Sequence, residues 1–167
     1  MGFWGSLLVV RSDDRVSAHL PGVAAASESV FLDAERGWRV WAVDREDPVS
    51  DEELAVMAGR TGAPVLSAYV MDSDCAVVEA LGTRTGPWRT CLGRASMAAY
   101  MAESGASVDD WFASAEQATR AAARWAREAG CEPSETVLAA AFAAFPDPFV
   151  ETVFIALLEG LGVRTDG

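Results

Sequence analysis

The chain is predicted to be an α+β fold, with a mainly antiparallel sheet built by its first half and helices built by its second. Apolar runs of strand length recur up to about residue 92. Beyond Gly93 the apolar period changes from two to about three and a half. No repeat, low-complexity linker or sharp composition boundary divides the 167 residues, so they read as one domain, β-rich over 1–92 and α-rich over 93–167.

The first strand is expected near 3–10, an apolar run ending in the polar cluster at 11–14, the form of a strand buried on both faces. From 16 to 26 the periodicity is unclear and Pro21-Gly22 breaks any element, so this stretch reads as loop with room for one helical turn. Strands near 30–33 and 38–43 flank a turn in which Gly37 can supply positive φ. Ser50 and Glu53 form a capping box that opens a helix over 51–60, closed by Gly62 and Pro64. Runs at 65–71, 76–81 and 88–92 predict a three-stranded meander. Helices follow at 94–104, 114–129, 135–145 and 148–161, with a capped turn near 107–111. Ser114 and Gln117 cap the second of these, where Glu116 with Arg120 and Arg124 with Glu128 are spaced as i,i+4 pairs. The stripe of Val153, Phe154, Leu157, Leu158 and Leu161 is the strongest helical signal in the chain.

Composition narrows the chemistry. There is no lysine, which removes Schiff-base nucleophiles and the phosphate-loop lysine, and no asparagine; histidine occurs once. The bias also fits the coding sequence of a GC-rich bacterium. The net charge of −12, with acids spread along the chain and arginine as the only strong base, argues against nucleic acid and against an anionic membrane. It suits a basic protein partner, or plain solubility. Cys75, Cys91 and Cys131 have no metal-ligand or disulfide-framework spacing, so no metal and no cofactor is expected and a reducing cytoplasm is the expected setting.

Few residues are equipped for catalysis, and none is assigned a catalytic role. His19 would have to carry any imidazole-based mechanism, without a G-x-S-x-G elbow to supply a serine. Asp72, Asp74 and Glu79 are the densest acid set in the sheet region; they could hold magnesium, although Asp72 to Cys75 also suits a tight turn whose polar side chains bond their own backbone. Cys75 beside them reads as a small strand residue rather than a nucleophile.

Six tryptophans are several more than a chain of this length usually holds; buried core is the default place for most of them, and recognition is the alternative. Trp38 and Trp41 fall on opposite faces of one strand, so either helices cover both faces or one face meets a partner. Trp38-Arg39 and Trp88-Arg89 join the two residue types that most often anchor interfaces. The favoured function is thus a non-catalytic, acidic protein-binding module, of the kind an immunity protein or antitoxin represents, contacting a basic protein through Trp38, Arg39, Trp41, Asp72, Asp74, Trp88 and Arg89. Two alternatives stand beside it: a carboxylate-based enzyme, with or without magnesium, and a structural homo-oligomer such as a dimer formed through the last helix.

Overall fold

The computed structural model describes residues 2–165. Its elements in chain order are β1 (Gly5–Arg11), α1 (Val16–His19), β2 (Glu28–Asp33), β3 (Trp38–Val43), α2 (Asp51–Thr61), β4 (Val65–Met71), β5 (Cys75–Gly82), β6 (Gly86–Leu92), α3 (Arg94–Ala102), α4 (Val108–Trp111), α5 (Ala115–Glu128), α6 (Glu135–Ala143) and α7 (Val150–Leu161). The strands form one six-stranded antiparallel sheet in the order β2-β3-β1-β4-β5-β6. The fold is α+β, a β-rich first half followed by helices.

β1 is central because its sequence is apolar on both sides of the pleat, and a strand of that kind needs cover above and below. Leu7 and Val9 enter one core, Leu8 and Val10 the other. The first core lies under α5, α6 and α7, where Trp125, Phe142, Phe154, Leu157 and Leu161 pack on Val40, Leu66, Val70 and Val78. Trp125 also donates its indole N–H to the Val65 carbonyl at 3.2 Å, which satisfies the one polar group of a fully buried ring. On the second face α1 and α2 cover β1, β3 and β4 through Val16, Leu54 and Met57. A smaller cluster, with Cys75, Cys91 and Met97 at its centre and Val108 and Phe112 against it, seats α3 and α4 over the β5–β6 side. Between α2 and that cluster the second face is left open.

Several local expectations are corrected. β1 starts at Gly5 rather than residue 3, because the N–H groups of Gly2 and Phe3 turn aside to Asp72 Oδ1 and Ser73 Oγ. The stretch 16–26 contains the single turn of α1, and a 3-10 turn over Ala25–Ser27 leads into β2, which begins at Glu28 where it pairs with Val43. α3 ends at Ala102. α6 ends at Ala143 and α7 begins at Val150, since Pro146 and Pro148 cannot donate to a helical ladder. Glu128 does not pair with Arg124; its carboxylate accepts the Thr83 hydroxyl and the Arg84 and Thr85 N–H groups, clasping the β5–β6 turn to α5. Glu116 and Arg120 do pair, at 2.9 Å. Among the described residues no helix is long and apolar enough to cross a membrane.

Candidate functional site

β1 runs antiparallel to β4, so the residues before β1 and the β4–β5 turn lie at the same end of the sheet. The turn is tight: the Asp74 N–H closes on the Met71 carbonyl at 3.0 Å, with Asp72 at φ 49° and Ser73 at φ 59°. Two consecutive left-handed residues match the twist of a hairpin, but side chains other than glycine adopt that conformation at a cost. Here tertiary bonds offset the cost. Asp72 Oδ1 accepts the Gly2 N–H at 2.7 Å, and Ser73 Oγ accepts the Phe3 N–H at 2.8 Å while donating to Glu151 Oε1 at 2.7 Å. The Ser73 carbonyl accepts the Val150 N–H, the first of α7, at 2.8 Å. Gly93 completes the junction: at φ 70°, a Cβ there would stand 2.6 Å from the Asp74 carbonyl oxygen and 3.2 Å from Pro146 Cγ.

This junction fixes four exposed aromatic residues at one end of the molecule. Phe145 and Phe149, 78% and 52% exposed, bracket Pro146-Asp147-Pro148; Trp4, 46% exposed, precedes β1; Tyr100 projects from α3. α3 packs on β5, and the Tyr100 phenol is pushed above its usual range, by desolvation first and then by negative charge that includes Asp74 and Asp72. Asp72, Asp74 and Asp147 supply negative charge around these rings. Arg94, the cation at the start of α3, is committed inward, donating to the Ala113 carbonyl and the Thr90 hydroxyl. Exposed rings with an acidic surround have the composition of a contact surface for a cationic partner.

The residues singled out from sequence are distributed differently. Trp38 and Trp41, 3% and 4% exposed, lie in the two cores, because helices cover both faces of β3. Neither ring is an exposed anchor. Trp38 packs on Trp125 with centroids 5.8 Å apart. Arg39 bonds Asp33 at 2.5 Å and lies 5.6 Å over the Trp41 ring. Trp88 meets Phe142 edge-on at 6.4 Å on the first face, and Arg89 pairs with Glu79 at 2.9 Å on the second.

Asp72, Asp74 and Glu79 do not converge. Asp74 and Glu79 are five positions apart along extended chain, on the order of 17 Å, and among the described residues no group of three or more potential ligands is placed to hold a metal. His19 is buried with Nε2 3.1 Å from Ser12 Oγ, but that oxygen also accepts the Asp14 N–H and caps the turn after β1. Burial pushes the Cys75 thiol up to about 12, with Asp74 adding to it, and the Cys91 thiol up to about 11, so neither is a thiolate near neutral pH.

The aromatic residues of this sheet end were missed because each looks like ordinary core in sequence. A usable signal was present in Phe145-Pro146-Asp147-Pro148-Phe149, where two phenylalanines flank a segment that no helix or central strand can absorb. No family model, curated protein or solved structure matches the chain.

Proposed function

We propose that this chain is a non-catalytic binding module that docks a basic protein surface against the sheet end formed by Trp4, Phe145, Phe149 and Tyr100. The observation that carries the reading is that these exposed rings sit around a rigidly bonded turn, with Asp72, Asp74 and Asp147 beside them, on a chain of net charge −12. Pre-bonded geometry lowers the ordering cost of association, and the negative field accelerates encounter with a cationic partner. An immunity protein or antitoxin, which neutralises a basic toxin, is the kind of protein this chemistry suits.

The test compares capture by wild type with capture by a Phe145→Asp/Phe149→Asp variant, whose substitutions fall on exposed positions and leave the cores intact. The expected result is a stoichiometric basic partner, weakened by raised salt, that the variant fails to retain. Each phenylalanine is expected to contribute about 1–3 kcal/mol of binding. Equal capture by the variant, an acidic partner, or a wild type that only self-associates would overturn the proposal.

A further inference from the structure

The second face of the sheet holds a different feature, independent of the docking surface. Between the first turns of α2 and the β5–β6 pair lies a groove of about 530 Å³, within the size range of small-ligand sites. Leu54 and Ala55 form its α2 wall, and Leu81 and Pro87 the opposite one. Its charged groups are Glu79, Arg89 and, from the first position of α2, Asp51.

Glu79 and Arg89 are cross-strand partners in the β5–β6 register, so the pleat points both side chains into the opening. Their ion pair is only half made. Arg89 Nη2 reaches Glu79 Oε1 at 2.9 Å, while among the described residues Glu79 Oε2 accepts no bond. Glu79 retains only 9% of its surface, and it lines the groove. A carboxylate has about four lone-pair sites and favours further charged donors when largely withdrawn from water. Two carboxylates against one guanidinium leave the lining with an excess negative charge.

We infer that this groove binds a small organic monocation, an ammonium or guanidinium carried on a short apolar stem. The cationic head donates to Glu79 Oε2 and faces Asp51, and the stem lies between Leu54, Ala55, Leu81 and Pro87. Arg89 holds the carboxylate in place from its other oxygen.

Calorimetric titration of the whole chain with n-butylguanidinium, n-butylammonium and, as a stem-matched anion, butyrate tests the assignment. The cations should bind and butyrate should not. Glu79→Gln should weaken cation binding about 10- to 100-fold, the loss of a charge-assisted hydrogen bond. Ala55→Leu, which fills the groove from an exposed helix position without changing charge, should abolish it. Urea unfolding shows whether each variant is folded; if Glu79→Gln is not, Asp51→Asn and Ala55→Leu decide. Binding of butyrate as tight as that of the cations, no heat from either cation, or undiminished binding to Ala55→Leu would overturn the inference.

Discussion

Ser73 and Glu151, 78 residues apart in sequence, share a 2.7 Å hydrogen bond from hydroxyl to carboxylate Oε1. The same Ser73 hydroxyl accepts the Phe3 N–H, so one buried side chain joins the chain start, the β4–β5 turn and the first turn of α7. Ser73→Ala deprives both partners of their bonds at once. It is expected to cost about 2–4 kcal/mol in urea unfolding, more than Glu151→Gln, which retains an acceptor for the hydroxyl. Equal costs for the two would show that the Glu151 charge, rather than the Ser73 junction, holds this end of the sheet.

The tryptophans of β3 should behave as core residues. Trp38→Ala removes a ring packed on Trp125 and is expected to destabilise by about 3–5 kcal/mol. Trp41 offers a contrast, because its buried indole N–H has no bonding partner among the described residues. Trp41→Phe therefore loses ring volume while relieving an unpaired donor, and should cost less than about 2 kcal/mol. Thermal melts of the two variants measure the difference.

The stripe of α7 should respond as interior too. Phe154 and Leu158 are buried within the chain itself, so a charge at either position is expected to unfold the protein rather than release a folded monomer. Circular dichroism with sedimentation on Leu158→Asp distinguishes these outcomes.

Glu128 links pH to stability. Desolvation acts to raise its pKa, but the bonds from Thr83, Thr85 and the Arg84 N–H outweigh it and hold the carboxyl at about 2, below its ordinary 4.5. A carboxylate with a depressed folded-state pKa contributes stability that is complete above the unfolded value and is lost as pH falls from about 4.5 toward 2. Glu128→Gln should therefore be less stable than wild type at pH 7, with the gap closing across that acid range. Gly82→Ala probes the same clasp at neutral pH, because its Cβ would stand 2.0 Å from Thr85 Oγ1 and 2.8 Å from Glu128 Oε2. It should loosen the clasp and lower the melting temperature.

The three thiols should be silent in the native state. All are buried, and burial pushes each above its ordinary value. A thiol reagent at pH 7 is expected to modify none of them before unfolding and all three after it; rapid native labelling of Cys75 would count against the packing under α3.

The elements, apart from some of their ends, were legible in the local sequence. The Ser50–Glu53 and Ser114–Gln117 boxes cap α2 and α5 as their spacing requires, β4 spans 65–71 as its apolar run does, and α7 carries its stripe inward. These are local matters: caps, periods and turns act over a few residues, and every one is written in contiguous chain. That Trp38 and Trp41 point to opposite faces was legible for the same reason, since the pleat alternates. Whether helices or a partner covered those faces was not legible, because it depends on where α2 and α5 to α7 pack. The packed fold was needed to show that Glu128 leaves Arg124 for a turn more than forty residues away and that Phe145 and Phe149 remain outside. Such contacts form between residues distant in the chain, where each side chain chooses among partners only after the sheet order β2-β3-β1-β4-β5-β6 has brought them together.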